Sequence, residues 1–514
     1  MLMIQNLTIK TINEQRILID NLNFTCQNTD KIAVIGEEGN GKSTLLKGIV
    51  DQKLIYDFAV LEGKIALGNS VVGYLPQVLD SNWNETSTLD FLLLDNYDEQ
   101  IDVESYGKIN DIYSIIGKFN LRDDILDDML MGKLSGGEKV KLQLLKLMLK
   151  NPDLLLLDEP TNDLDIGTLE WLEEFIINST VGVMFISHDE YLLDRCANAI
   201  LHLEQTKRKT KPRWTFERIG YEDYIEKRSD LVTRQNRIAG EEKRSYRKQM
   251  DRYLKVYQAV EHAQRTITRQ NPFKGKMLKK KMSAVKSWGK RLENKELTES
   301  VEIEERVSLY FHDNVYLNHN KCVLEFELDV LAIEDRLLSK DISLEVYGQD
   351  KIVIIGRNGS GKTTLLKKIY DVLKKRVDIK LGWMPQNYDE YLPNDISAVE
   401  YLAPDRLKET ITKVQKHLGS INFTVDEMYA PISSYSQGQK AKLLLVKMVL
   451  EEVNVLLLDE PTRNLSPLTN PVVRDILGNF NGCIISVSHD RKYIEEAADV
   501  VYLLEDDGLK LLQD

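Results

Sequence analysis

The nine residues GEEGNGKST, Gly36 to Thr44, follow the apolar segment Lys31 to Ile35 and precede a segment rich in Leu and Lys. A glycine-rich loop between a strand and a helix lets backbone N–H groups turn towards phosphate, and the start of the helix adds a favourable field. Lys42 can then reach the outer phosphates, and the Ser43 hydroxyl can hold magnesium. The stretch predicts a phosphate-binding loop in an α/β domain.

The same pattern occurs twice in the chain. GRNGSGKTT at Gly356 to Thr364 matches the first loop, and LLLLDEPT at Leu154 to Thr161 recurs as VLLLDEPT at Val455 to Thr462. The duplication excludes a chance turn without a ligand. The first copy is 19 residues longer between the phosphate loop and the later landmarks, and we expect the extra residues in surface loops. Three pairs of landmarks are 301 residues apart: Ser135 and Ser436, Asp158 and Asp459, and His188 and His489.

Each repeated strand ends in two carboxylates, Asp158-Glu159 in the first copy and Asp459-Glu460 in the second. The Asp suits the shell of a magnesium ion, and the Glu can orient and deprotonate the water that attacks a terminal phosphate. Solvated or helix-capping acids are the alternative, which the upstream phosphate loop disfavours. The histidines that follow later apolar strands are candidates to contact that phosphate and the water: His188 and His489.

Two further segments carry a family resemblance. Leu134-Ser135-Gly136-Gly137-Glu138 and Tyr435-Ser436-Gln437-Gly438-Gln439 resemble the signature loops of ABC ATPases, and Gln77 and Gln386 lie in matching YLPQ and WMPQ contexts. The landmarks of an ATP-binding cassette are in order in both halves, across about 430 of the 514 residues. The resemblance implies two cassettes that face head to tail, so that the signature of one closes over ATP held by the phosphate loop of the other.

The expected fold is therefore α/β, with two P-loop ATP-binding cassette domains in tandem joined by a helical hairpin, an antiparallel coiled coil. The expected domains are 1–222, 223–300 and 301–514. The resemblance implies ATP and Mg²⁺ as cofactors, ATP hydrolysis as the reaction, and Glu159, Glu460, His188 and His489 as catalytic residues. The implied ATP-binding residues are Gly36, Gly39, Asn40, Gly41, Lys42, Ser43, Thr44, Gln77, Ser135, Gly136, Gly137, Gly356, Asn358, Gly359, Ser360, Gly361, Lys362, Thr363, Thr364, Gln386, Ser436 and Gly438. The implied magnesium ligands are Ser43, Gln77, Asp158, Thr363, Gln386 and Asp459.

The two halves depart from the family pattern in different ways. Tyr435 and Gln437 stand where Leu and Gly are usual, so we expect slower hydrolysis at the site that pairs Lys42 with Ser436. Asp163 stands where many relatives have His, and the partner loop reads TRNLS from Thr462. The two ATP sites are predicted to be non-equivalent.

The segment between the copies has an unusual charge. Residues 227–292 hold 20 Lys and Arg against 5 Asp and Glu, although the whole chain has a net charge of -13. Few glycines or prolines interrupt it before the Asn271-Pro272 break, which predicts two helices folded into an antiparallel hairpin with a tip at about residues 261–276. Apolar residues recur at spacings of three and four on one face of each helix: Tyr246, Met250, Tyr253, Tyr257 and Val260, then Met282, Val285, Trp288 and Leu292.

Two cassettes fused through a basic linker resemble the ABC-F proteins, which act on ribosomes, and most resemble their antibiotic-resistance group. The resemblance implies a monomer with paired cassettes that binds ribosomal and transfer RNA near the tRNA exit site and perturbs peptidyl-site tRNA. A housekeeping ABC-F translation factor, the ATPase subunit of a membrane transporter and an ATPase acting on DNA remain alternatives. The residues expected to contact RNA are Arg265, Arg269, Lys274, Lys276, Lys279, Lys280 and Lys281.

The cellular compartment follows from what the sequence lacks. The first 15 residues have no basic start followed by an apolar core, and the longest apolar stretches are far shorter than a membrane span. The four cysteines are scattered, without a CxxC pair. We expect a cytoplasmic protein that does not enter the membrane.

Overall fold

The computed structural model describes residues 1–12, 16–99, 103–127, 129–162, 164–206, 211–266, 272–295, 309–311, 316–333 and 336–513. It divides into two compact units: Met1–Tyr221 together with Glu304–Asp514, and Glu222–Ile303. The first unit holds both cassettes, and the second is the helical segment between them. The predicted boundary at residue 300 lies outside the described residues.

The first cassette is built on a six-stranded sheet of order β5-β6-β7-β3-β8-β9, parallel except for β9. A three-stranded antiparallel sheet, β2-β1-β4, lies beside it. The inner strands β3, β6 and β7 are buried at every residue, as expected of parallel strands covered on both faces. The strands are β1 (Leu2–Thr11), β2 (Ile17–Cys26), β3 (Lys31–Ile35), β4 (Ala59–Ala66), β5 (Val72–Leu75), β6 (Leu154–Asp158), β7 (Gly182–Ile186), β8 (Ala199–Gln205) and β9 (Lys211–Glu217).

The helices of the first cassette begin at the residues that carry the motifs. The phosphate loop leads from β3 into α1, and the first signature segment leads into α4. The helices are α1 (Lys42–Val50), α2 (Thr88–Leu93), α3 (Val103–Ile115), α4 (Gly136–Leu149), α5 (Ile166–Asn178) and α6 (Glu190–Cys196).

The segment between the cassettes forms two helices, α7 (Tyr221–Thr266) and α8 (Pro272–Glu293). Proline at the start of α8 is favourable because its missing N–H would have no helical partner there. The predicted apolar faces meet: Val260 packs with Met282 and Val285, and the Tyr253 ring lies 5.7 Å from that of Trp288. The segment is a helical hairpin, and tip residues 267–271 lie outside the described residues.

The second cassette repeats the parallel sheet, in the order β13-β14-β15-β12-β16-β17. Its separate antiparallel sheet has two strands, β10 and β11. The strands are β10 (Cys322–Ile333), β11 (Arg336–Tyr347), β12 (Lys351–Ile355), β13 (Leu381–Met384), β14 (Val455–Asp459), β15 (Cys483–Val487), β16 (Val500–Glu505) and β17 (Gly508–Gln513). The helices are α9 (Lys362–Leu373), α10 (Ala398–Leu402), α11 (Lys408–Ser420), α12 (Val425–Tyr429), α13 (Gln437–Leu450), α14 (Asn470–Gly478) and α15 (Arg491–Ala497).

The extra residues of the first cassette are not all in surface loops, and that prediction is wrong for the part before Gln77. The interval from Lys42 to Gln77 is 35 residues, against 24 from Lys362 to Gln386. The first cassette uses the added length for β4, which pairs with β1. Ala59 is buried in the cassette core and Leu61 packs against it, so apolar residues stabilise the additional strand.

In the described part of the chain, no helix combines the length and apolar character needed to cross a membrane.

Candidate functional site

The two phosphate loops hold their lysines in the same way. Lys42 Nζ donates to the carbonyl oxygens of Gly36 at 2.8 Å and Glu37 at 3.0 Å. Lys362 Nζ donates to the corresponding carbonyls of Gly356 and Arg357, each at 2.8 Å. Burial lowers the pKa of both amines, and nearby carboxylates oppose that shift. In each phosphate loop, two backbone carbonyl oxygens therefore hold the ammonium group of the lysine.

Glycine is required where these loops leave the sheet. Gly36 has φ 143°, and a Cβ added there would lie 2.2 Å from the Leu203 carbonyl oxygen. The amide of Asn40 donates to the same carbonyl at 3.0 Å. Asn40, predicted to contact ATP, is therefore also a support for the loop.

The first carboxylate pair lies beside the first phosphate loop. The Ser43 hydroxyl donates to Asp158 Oδ1 at 2.8 Å, and the Tyr74 hydroxyl donates to Oδ2 at 3.2 Å. Burial raises the pKa of Asp158, and the Ser43 hydrogen bond acts against this. A hydroxyl and a carboxylate in contact are oxygen donors that fit Mg²⁺. Tyr74 was not among the predicted site residues.

Glu159 is surrounded by hydrogen-bond donors. Gln77 Nε2 donates to it at 2.9 Å and Asn162 Nδ2 at 2.8 Å, and His188 Nε2 is 3.3 Å away. Burial opposes ionisation, but His188, Asn162 and the charge of Lys42 outweigh it and lower the pKa of Glu159 to about 2. An ionised carboxylate here can accept a proton from water.

The second carboxylate pair has a different environment. Burial and the neighbouring Asp459 raise the pKa of Glu460 to about 8, although the backbone N–H of His489 donates to it at 3.3 Å. Burial and Lys362 lower the pKa of His489 to about 4. Arg463 stands where the first cassette has Asn162. The two catalytic candidates thus differ in protonation as well as in partners.

The buried carboxylate of Asp459 has no hydrogen bond of normal geometry in the described part of the chain. The Thr363 hydroxyl is nevertheless close enough to act against the rise in its pKa that burial causes. A buried carboxylate beside a hydroxyl fits a hard divalent cation. The donors in this cassette are therefore of the same kind as Ser43 and Asp158.

Glu159 and Glu460 share one backbone feature, with φ of 50° and 55°. A non-glycine residue in this left-handed region stores on the order of 1–3 kcal/mol, and such strain is concentrated at functional sites. This backbone conformation sets the direction in which each carboxylate side chain leaves the end of its strand.

The signature serines cap the helices that follow them. The Ser135 hydroxyl accepts from the Glu138 N–H at the start of α4, and Ser436 accepts from the Gln439 N–H at the start of α13. In both, the third helical residue completes a capping box. Both helices therefore begin in the same way, despite the departures in the second segment.

The departures at Tyr435 and Gln437 are accommodated within the second cassette. Tyr435 is buried, its ring lies 5.4 Å from that of Phe423, and its hydroxyl donates to the Glu427 carbonyl. Gln437 Nε2 donates to Asp389 at 2.9 Å. Neither substitution alters the cap that Ser436 provides.

The two cassettes share a cavity of about 390 Å³ at the second phosphate loop. We call this the second site; it combines Lys362 with Gly136 of the first signature segment. Asn162, Thr462, Arg463 and Asn470 also line it and were not predicted. The predicted residues that line it are Gly136, His188, Asn358, Gly359, Gly361, Lys362, Thr363, Thr364, Gln386, Asp459, Glu460 and His489.

The first site is defined by Lys42 and the second signature segment. There, side chains of the phosphate loop hydrogen-bond directly to the other cassette. Glu38 Oε2 accepts from the backbone N–H of Gly438 at 2.9 Å, and Glu37 Oε1 accepts from the Ser466 hydroxyl at 2.7 Å. Neither glutamate was predicted as a site residue. The sequence did distinguish these two positions, because the second phosphate loop has Arg357 and Asn358 where the first has Glu37 and Glu38.

The predicted RNA-contacting residues lie on the hairpin. Arg265 pairs with Glu261 at 2.9 Å and keeps 76% of its side chain exposed. Arg269 and, in the first cassette, Asp163 lie outside the described residues. The remaining predicted contacts are all exposed: Lys274, Lys276, Lys279, Lys280 and Lys281.

Comparisons with known proteins agree with this geometry. The ABC transporter family model matches residues 19–162 and 339–463. The probable ATP-binding protein YheS of Escherichia coli is 29% identical, over 96% of this chain and 77% of its own. The putative ATP-binding protein YdiF of Bacillus subtilis is 27% identical over 94% and 76%. ABC transporter F family member 2 of Arabidopsis thaliana is 28% identical over 93% and 73%.

Solved structures share the tandem fold. An archaeal ribosome recycling factor, solved in complex with a ribosomal stalk protein, aligns with a TM-score of 0.59 at 15% identity, over 98% of this chain and 89% of that chain. An RNase-L Inhibitor aligns with a TM-score of 0.56 at 16% identity, over 98% and 90%. With the two phosphate loops, two Asp-Glu pairs and two signature segments in place, the chain belongs to the ABC transporter family, as a tandem ATPase that hydrolyses ATP.

Proposed function

We propose that this ATPase acts on the ribosome, where its hairpin reaches the tRNA exit site and perturbs peptidyl-site tRNA. The observation that carries the proposal is the cluster of exposed cations on the hairpin, at Arg265, Lys274, Lys276 and Lys279–Lys281. Residues 227–292 carry a net charge of +15, whereas the remainder of the chain carries -28. A basic surface on an acidic protein supports binding to phosphate groups, because each neutralised phosphate releases counterions.

The roles proposed for the ATP sites follow from their geometry. Lys42 and Lys362 would bind the outer phosphates, and each Asp with its neighbouring hydroxyl, Ser43 or Thr363, would hold Mg²⁺, which would supply charge neutralisation on the phosphates. Glu159, and Glu460 in its ionised form, would take a proton from the attacking water, and Gln77 and Gln386 would be further ligands for Mg²⁺. His188 and His489 orient the water and the terminal phosphate.

We expect ATP to close the cassettes in the form that binds the ribosome, and hydrolysis to release it. The Glu159→Gln, Glu460→Gln double variant should bind ATP and lose about 100- to 10,000-fold in hydrolysis, the usual effect of removing a general base. It should cosediment with ribosomes in ATP. Recovery at the top of the gradient in low salt would contradict the proposal, and recovery with membranes would favour a transporter subunit.

The proposed role of the hairpin is tested by removing positive charges from it. Replacing Lys279, Lys280 and Lys281 with Gln should weaken ribosome binding and flatten its dependence on salt, since three phosphate contacts are lost. The matched control replaces three exposed lysines of α11, Lys408, Lys413 and Lys416, with Gln. An unchanged salt slope in the hairpin variant would make the hairpin a spacer.

Within this activity, we propose protection of the ribosome from antibiotics that bind near the peptidyl-transferase centre. The supporting feature is the sequence around Pro461–Leu468 together with the SQGQ signature at Ser436. Expression in a drug-sensitive host should raise the inhibitory concentration of at least one such drug, and the double Gln variant should not. If no drug of this class is affected, a housekeeping translation factor becomes the better assignment.

A further inference from the structure

The first phosphate loop is attached to the second cassette by an acidic side chain. Glu37 Oε1 accepts hydrogen bonds from the hydroxyls of Ser466 and Thr469, each at 2.7 Å, and Oε2 lies 3.5 Å from Lys442 Nζ. Burial opposes ionisation of Glu37, but Lys442 and the two hydroxyls outweigh it and lower its pKa to about 2. This contact is a charge-assisted connection between the cassettes at neutral pH.

The adjacent glutamate meets the signature segment itself. Glu38 Oε2 accepts the backbone N–H of Gly438 at 2.9 Å, in the first turn of the 14-residue helix α13. The free N–H groups of a helix start carry partial positive charge and bind anions. The Glu38 carboxylate therefore serves as the anion at this helix start.

The resemblance to ABC ATPases implies that the second signature segment, with Ser436 and Gly438, closes over the ATP held at Lys42. ATP on Lys42 would bring its negative charge to Gly438 and Ser436, where Glu38 already supplies one. Two anions cannot both accept in full from this one N–H, and like charges this close repel each other, although solvent reaches the exposed Glu38 side chain. Glu38 and the terminal phosphate are therefore competitors.

The second site has no such acid at the matching position. Asn358 replaces Glu38, and Arg357 replaces Glu37. There the cavity extends from the phosphate loop to Gly136 of the first signature segment. The neutral amide adds no negative charge to that site.

We propose that Glu38 gates the first ATP site: its carboxylate competes with the terminal phosphate of ATP for the Gly438 amide, while Glu37 keeps the first phosphate loop joined to the second cassette. ATP must displace Glu38 to close the first site, and Asn358 at the matching position imposes no such step at the second. The inference rests on the proposed pairing of Lys42 with Gly438 in one ATP site.

The test measures ATP affinity without turnover, in the Glu159→Gln, Glu460→Gln background with Mg²⁺ present. Isothermal titration with ATP should resolve a weak and a strong site. Glu38→Asn, which copies the second loop, should strengthen the weak site about tenfold or more and leave the strong one unchanged, because a competing charge is removed. Glu38→Gln, which keeps the side-chain shape, should do the same.

Two matched changes complete the design. Asp57→Asn removes an exposed acid beyond the far end of α1, so it should alter neither affinity. Asn358→Glu introduces the acid into the second loop and should weaken the strong site. Thermal unfolding of each variant confirms that the fold is retained.

The outcomes distinguish a failure of the Glu38 gate from a failure of the assumption that Lys42 belongs to an ATP site. Lys42→Ala should remove one binding step; two intact steps would overturn the assignment of Lys42 to an ATP site. If Lys42→Ala removes a step but Glu38→Asn and Glu38→Gln leave that step unchanged or weaken it, Glu38 is not a gate.

Discussion

Glu159 and Glu460 occupy matching positions but have different neighbours. Glu159 accepts from two amides, those of Gln77 and Asn162, and its pKa is lowered to about 2. Glu460 accepts from the backbone N–H of His489, and burial beside Asp459 raises its pKa to about 8. The two carboxylates proposed to activate water therefore have different environments, although their strands and their left-handed φ angles are alike.

The two single Gln variants should lose unequal amounts of ATPase activity. If Glu38 hinders the first site, most turnover comes from the second at a pH above about 8, where Glu460 is ionised, so Glu460→Gln should there remove most of the hydrolysis. Glu159→Gln should leave most of it, and the double variant should fall by the full 100- to 10,000-fold. Steady-state phosphate release checks this at an ATP concentration that fills the strong site but not the weak one. Equal losses in the two single variants would contradict unequal sites.

The hairpin depends on one close approach between its helices. A Cβ added at Gly289 of α8 would lie 2.6 Å from the Tyr253 hydroxyl and 2.7 Å from the adjoining ring carbon. The absence of a side chain at Gly289 lets the Tyr253 ring pack against α8. Gly240 of α7, in contrast, has open space where a Cβ would be added.

Alanine substitutions at these two glycines should therefore have opposite effects. Gly240→Ala should stabilise α7 by about 1 kcal/mol, the difference in helix propensity. Gly289→Ala should displace Tyr253 and destabilise the hairpin by about 1–3 kcal/mol, the usual cost of overpacking, despite the same gain in propensity. Amide hydrogen exchange of α7 and α8 measures both. Slower exchange in both variants would show that Tyr253 moves away at little cost.

The paired cassettes are held by ion pairs that are buried between them. The Arg474 guanidinium donates to Glu190 of the first cassette at 2.6 and 3.2 Å, and to Glu496 at 2.6 Å. Glu190 and Arg474 are 5% and 2% exposed. Arg491 likewise donates to the buried Glu173 of the first cassette. These contacts stabilise the association of the two cassettes.

Removing Arg474 should destabilise the protein, because the buried Glu190 loses both of its short hydrogen bonds and keeps only the more distant Lys492, 3.6 Å away. Arg474→Ala should cost about 3–5 kcal/mol. Glu62→Ala, which removes the exposed pair with Lys10, should cost no more than about 1 kcal/mol. Thermal unfolding of the full chain compares the two. A shift for Arg474→Ala no larger than that of the control would mean that water replaces the arginine.

Several features could be predicted from the sequence because each depends only on residues that are close together in the chain. The phosphate loops, the Asp-Glu pairs and the signature segments each need a fixed order of a few residues, and the hairpin needs only helical spacing and a proline break. The insertion before Gln77 was misassigned because alternating Ala59, Leu61 and Ile65 form a strand only when β1 offers an edge to pair with. The pattern of residues 59–65 does not show that β1 provides an edge for this strand.

The sequence by itself determined that this chain has two cassettes, two sets of candidate catalytic residues and a basic helical hairpin, since short-range sterics and hydrogen bonding encode each. Only the tertiary structure decided that Glu38 meets Gly438, 400 positions away, and that the environments of Glu159 and Glu460 differ. Those outcomes depend on burial and on charges brought together from distant segments, because electrostatic interactions follow distance in space rather than distance along the chain.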